Sequence, residues 1–224
     1  MNRLGGSLSW RLLLHVLASG QLSYSVHYEL RHTQLPVLAT LAGNVPPLGG
    51  KFNYLSFLNG LLQTLYYLLA VACDLRPLAR LQQTRSFLLT TLVVPLALTV
   101  SATFWLLWTI DEELVFPYVL VGIYPWWLTY TLHTLVAVGA VLEICVAPHR
   151  YPSRRRGFTV LAVVLCSYLA WLQLVYHWTG IWIYPFLDIM NSPFRWVFFA
   201  LVGSSACVFY LLGERLNCVL WGQL

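Results

Sequence analysis

A serine and a histidine set the chemical question. Ser56 belongs to a row of polar side chains, Asn53, Ser56, Asn59 and Gln63, spaced three, three and four residues apart inside an apolar run. On an α-helix that spacing gathers them on one face. His133 interrupts another apolar run, with Thr129 and Tyr130 about one turn before it. A serine hydroxyl is a weak nucleophile at its own pKa, and it attacks a carbonyl once an adjacent base takes its proton. Imidazole is the usual such base. The next carboxylate along the run, Glu143, is ten residues on, about 15 Å of helix, so a Ser56–His133 unit would be a dyad. Thr129 or Tyr130 would orient the ring, and Asn59, one turn from Ser56, would donate to the oxyanion. Lys51, five residues before Ser56, is the candidate to meet a free carboxylate on a substrate. The same residues also fit a purely structural reading, because hydroxyls, amides and imidazoles join helices by hydrogen bonds inside membranes. No G-x-S-x-G, H-E-x-x-H or Walker motif occurs, and the five cysteines show no C-x-x-C spacing. The sequence therefore calls for no metal, cofactor or disulfide.

The elements that would carry these residues are membrane helices. Of 224 residues 59% are apolar and 9% charged, against roughly 25% charged in a soluble domain, and mean hydropathy is +0.70. That excludes a soluble globule, a nucleic-acid module and a secreted disulfide scaffold. Six runs approach the roughly 20 residues that cross a bilayer: Leu12 to Tyr28, Phe52 to Ala72, Ser86 to Ile110, Ile123 to Val146, Phe158 to Trp178 and Phe194 to Leu212. The expected architecture is all-α, a bundle of about six transmembrane helices forming one domain over residues 1–224.

The first run is the weakest. Arg3, Arg11 and Ala18-Ser19-Gly20 give it the outline of a signal peptide, but His15 interrupts it and apolar residues continue to Tyr28, so an uncleaved helix is expected. With six crossings, one side holds ten of the 13 Lys and Arg residues and the other holds Arg31, Lys51 and Arg195. The positive-inside rule then puts both termini in the cytoplasm, the membrane being the plasma membrane or the endoplasmic reticulum. The connection from Glu29 to Lys51, with Pro36, Pro46, Pro47, Gly49 and Gly50, reads as an outer loop. On these boundaries Ser56 lies about 6 Å and His133 about 14 Å below the outer end of its helix. Tilt and side-chain reach must close that difference.

Several stretches resemble the family of the androgen-induced protein and the androgen-dependent TFPI-regulating protein. They are Phe116-Pro117, Pro125 through Leu128 with Leu132-His133-Thr134, His149 with Tyr151-Pro152-Ser153, Thr179 through Pro185, and Tyr210 through Glu214 with Leu216-Asn217. The resemblance implies a six-helix membrane hydrolase that uses an intramembrane threonine and histidine on fatty acid esters of hydroxy fatty acids, substrates drawn from the bilayer. The threonine position is Ser56 here and the histidine is His133. Three departures bear on substrate preference and rate: serine replaces threonine, Thr129-Tyr130 replaces an Asn-His pair, and Asn53 stands where the family tends to carry lysine. Two other readings compete. A haem-bearing electron carrier would need histidines paired at one depth, which His15, His27, His133 and His177 do not offer on these boundaries. A non-catalytic membrane regulator would leave Ser56 without a chemical role.

Overall fold

The computed structural model describes residues 3–33 and 49–222. Most of the expected outer loop, residues 34–48 with Pro36, Pro46 and Pro47, lies outside the described residues. Among the described residues seven α-helical elements follow in order: α1 (Arg3–Arg31), α2 (Leu55–Leu75), α3 (Ala79–Ile110), α4 (Trp126–Val146), α5 (Arg154–Thr179), the short α6 (Pro185–Ile189) and α7 (Ser192–Trp221). Among the described residues there is no strand. Five of the helices, α2 to α5 and α7, are long and apolar enough to cross a membrane. The chain is a multi-pass membrane protein. α1 is helical throughout but falls outside that group, because its polar residues dilute it. Several of those residues turn inward: His15, Ser19, Ser25 and Glu29 are buried, while Gln21 and His27 are exposed.

Helix ends depart from the apolar runs for local reasons. Phe52 and Asn53 lie in a 3₁₀ turn, Gly50–Asn53, and Tyr54 is extended, so α2 begins at Leu55. Asn53 is therefore not on the helical face with Ser56, and the stripe on α2 is Ser56, Asn59 and Gln63. α4 begins after Pro125, since the residue preceding a proline is pushed out of helical geometry. α1, α3, α5 and α7 extend beyond their apolar cores.

α3 is the centre of the bundle, with 61% of its apolar window buried, against 17% for α5 and for α7, which face lipid. One core joins Leu22 of α1 and Tyr66 and Tyr67 of α2 to Val93 and Ala97 of α3 and to Ala140 and Ile144 of α4. A second joins Leu96 of α3 to Leu161, Ala206 and Tyr210 of α5 and α7. Two helices carry a π-turn, Leu89–Val93 in α3 and Thr131–Leu135 in α4. The first precedes Pro95, whose missing N–H cannot serve the ladder. The second contains His133. Such turns are frequent at functional sites.

Candidate functional site

α2 and α4 run parallel, side by side. A Cβ added to Gly60 would meet Leu132 Cδ2 at 2.7 Å, so glycine is what allows this approach. Three residues along, Gln63 Nε2 donates to the Val136 carbonyl at 3.1 Å, and Gly139 abuts the Tyr67 hydroxyl. Carried back four residues from the Gly60–Leu132 contact, this register sets Ser56 level with Leu128 and Thr129. His133 starts one turn deeper, but helical side chains lean toward the helix N-terminus. Its Nδ1 reaches back to the Thr129 carbonyl at 3.0 Å. The longer side chain of His133 thus covers part of the depth difference inferred from the sequence.

A carbonyl only accepts, so Nδ1 carries the hydrogen and the neutral ring presents an unprotonated Nε2. Phe104 of α3 stacks on the imidazole with centroids 3.7 Å apart and planes 20° apart. Carbonyl and stack together fix the ring. Ser56 and His133 both line one cavity of about 710 Å³, inside the roughly 300–1,000 Å³ range of ligand sites. Its walls are mainly apolar, with Leu107, Phe116, Leu172, Phe198 and Val202 among them, and its polar lining includes Glu29, Tyr54, Thr129, Tyr168 and Tyr184.

The other candidates divide. Thr129 lines the cavity and orients His133 through its backbone, while its own buried hydroxyl has no protein partner. Tyr130 is 49% exposed, lies against Trp105 and Trp126, and is not in the cavity wall. Asn59 is buried, its amide has no protein partner, and it does not line the cavity; three residues turn it about 60° from Ser56 on a 3.6-residue helix. Lys51 stands outside the wall, donates to the Thr33 hydroxyl and is attracted by Glu29. Partial burial lowers its pKa from the usual lysine value, and Glu29 partly restores it.

Sequence reasoning missed Glu29, Tyr124, Tyr168 and Tyr184. Glu29 lines the cavity, hydrogen-bonded to the Tyr124 hydroxyl. Its position just past an apolar run was the available signal. The tyrosines resembled interfacial aromatics and gave none.

The FAR-17a/AIG1-like protein family matches residues 10–218. Androgen-induced gene 1 protein of Homo sapiens is 32% identical over 187 residues, covering 77% of this chain and 79% of that protein. Androgen-dependent TFPI-regulating protein of Homo sapiens is 32% identical over 183 residues, 79% of this chain and 80% of that protein. The Mus musculus protein of the same name is 31% identical over 183 residues, again 79% and 80%. No solved structure matches the chain.

Proposed function

We propose a lipid hydrolase, from a plain premise: the chain belongs to the FAR-17a/AIG1-like family. In this reading it cleaves carboxylic esters of lipids inside the membrane, fatty acid esters of hydroxy fatty acids being the class that the family resemblance implies. The observation that carries it is the shared cavity, in which a serine and a histidine with a free Nε2 stand together within apolar walls.

Ser56 attacks the ester carbonyl while His133 Nε2 takes the hydroxyl proton. The bond to the alcohol breaks, and His133 returns the proton to the leaving oxygen. Water then releases the acid from the acyl-serine, with His133 again as base. Ser56 is the second residue of α2, and the N–H groups of a helix's first turn have no partner within the helix. The N–H groups of Ser56 and Phe57 are thus the donors assigned to the oxyanion, a role Asn59 is badly placed to fill. Lys51 is the cation assigned to a free carboxylate at the mouth.

The test uses purified protein with a panel of lipid esters and a lipophilic fluorophosphonate. Wild type should hydrolyse ester and carry the label on Ser56. Ser56→Ala should abolish both, and His133→Ala should lower turnover by about 10²- to 10⁴-fold in folded protein. Full labelling and hydrolysis by Ser56→Ala would return the α2 stripe to helix packing.

A further inference from the structure

The first turn of α2 is held from outside its own helix. A helix start is ordinarily capped by Ser, Thr, Asp or Asn at its N-cap. Here Tyr54 occupies that position and makes no side-chain cap. The Leu55 N–H instead donates to the Tyr184 hydroxyl at 2.9 Å. Tyr184 and Tyr168 share a hydroxyl hydrogen bond of 2.7 Å, and Tyr168 donates to the Asn53 carbonyl at 2.8 Å. Because a carbonyl only accepts, the Tyr168 proton goes to Asn53, and the Tyr184 proton must therefore go to Tyr168. The chain closes across Asn53, Tyr54 and Leu55, the three residues that precede Ser56. Trp171 adds a hydrogen bond from its indole to Asn53 Oδ1 at 2.9 Å.

The far end of this chain is itself anchored. Gly180 ends α5 at φ 70°, a conformation that glycine adopts without strain, and it turns residues 181–185 back along the bundle. Trp182 and Ile183 are buried there, with the Arg195 guanidinium over the Trp182 ring. Tyr168 and Tyr184 also line the cavity, yet both their protons are committed, so neither has one left for a substrate.

We propose that Tyr184 and Tyr168 are positioning residues for Ser56. Their hydroxyl chain fixes the first turn of α2, and with it the serine oxygen and the N–H groups assigned to the oxyanion. This rests on the hydrolase reading and adds to it the groups that set the nucleophile's geometry. A displacement of about 1 Å at a reacting atom can cost roughly 10²-fold in rate, whereas loss of one helix cap lowers stability only modestly. The chemistry is the more sensitive readout.

The experiment measures fluorophosphonate labelling of Ser56 and ester hydrolysis, per folded molecule, in Tyr184→Phe, Tyr168→Phe and the double variant, with melting followed in parallel. Each single variant should lower labelling rate and kcat by about 10- to 100-fold, with KM changed by less than about threefold. The double variant should be no worse than the larger single one, since one chain is broken either way. Tyr176→Phe, whose ring stacks on Trp182 away from the chain, should label at the wild-type rate. Tyr168→Phe leaves the Leu55 cap in place and decides the question if Tyr184→Phe does not fold. Wild-type labelling rates in both single variants, or losses that multiply in the double, would overturn the positioning role while leaving the dyad standing. Failure of wild-type Ser56 to label, with hydrolysis intact in Ser56→Ala, would remove the dyad and this role with it.

Discussion

The imidazole of His133 owes its useful tautomer to a backbone carbonyl, so the missing carboxylate of a triad has a local substitute. The Thr129 carbonyl holds Nδ1–H and Phe104 holds the ring face, which leaves Nε2 free to accept a proton. That Ser56 and His133 line one cavity matches their selection from the sequence as polar groups within apolar runs, where hydrocarbon leaves few unless they are partnered or used. Thr129 was one of the two orienters that the sequence offered, but the sequence did not show that its carbonyl and not its side chain would hold the ring, since any residue at position 129 supplies the same carbonyl. Lys51 carries a prediction at this scale. Burial lowers its pKa from the usual lysine value and Glu29 only partly restores it, so its charge is lost, as pH rises, earlier than from an exposed lysine near 10.4. KM for an ester with a free carboxylate should therefore rise on the alkaline side of the profile. Lys51→Met should raise that KM about three- to tenfold at neutral pH and flatten the alkaline rise. The methyl ester of the same lipid should be indifferent to both changes, and an equal effect on acid and methyl ester would remove Lys51 from substrate binding.

Between elements, the decisive contact is α2 against α4. Gly60 lies one turn below Ser56 and closely approaches Leu132, the neighbour of His133, so the interhelical gap at this point sets the spacing of Ser56 and His133. Gly60→Ala should force the helices apart and lower stability by about 1–3 kcal/mol, the usual range for overpacking. Labelling of Ser56 per folded molecule should fall with it. The compensating pair Gly60→Ala with Leu132→Ala should recover labelling, because it removes the methyl groups that collide. Loss of stability with labelling unchanged would mean that this contact does not govern the site. The existence of the helices was legible from apolar run length alone. The azimuth of each residue was not: Asn59 and Tyr130 were chosen for proximity in sequence, but rotation about α2 and α4 turns both away from the cavity. Nor could a pattern of apolar runs show that Tyr184, more than a hundred residues on, caps α2.

Across the whole molecule, two polar clusters at opposite ends fix how α1 lies. At one end His15 of α1 contacts Asp74 of α2 and, at 2.7 Å, Glu143 of α4, while Arg85 of α3 donates to Glu143 at 2.9 Å and Tyr66 donates to it at 2.6 Å. The buried Glu143 carboxylate thus has the Arg85 guanidinium and hydrogen bonds from its neighbours as partners, as charge in a low-dielectric interior requires. At the other end Glu29 of α1 faces Lys51 and Tyr124, next to the start of α2. Asp74 is 18 residues beyond Ser56 on α2, about 27 Å of helix, so the charged cluster is remote from the cavity. α1 therefore runs antiparallel to α2 over most of its length. Four of the polar residues that keep it from qualifying by composition, His15, Ser19, Ser25 and Glu29, are buried against its neighbours. That geometry argues that α1 crosses with the five apolar helices, which puts both ends of the chain on one side. Arg76, Arg80, Arg150, Arg154, Arg155, Arg156 and Arg215 lie in or beside the connections and tail of that same side, the side that the positive-inside rule predicts to be cytoplasmic. Epitope tags at residue 1 and residue 224 should both bind antibody only after the plasma membrane is permeabilised, and a tag between Glu112 and Glu113 should lie on the opposite side. An N-terminal tag on the side opposite the C-terminal one would show that α1 packs on the bundle without crossing, and the polar residues it turns inward would then need another explanation than a sixth span.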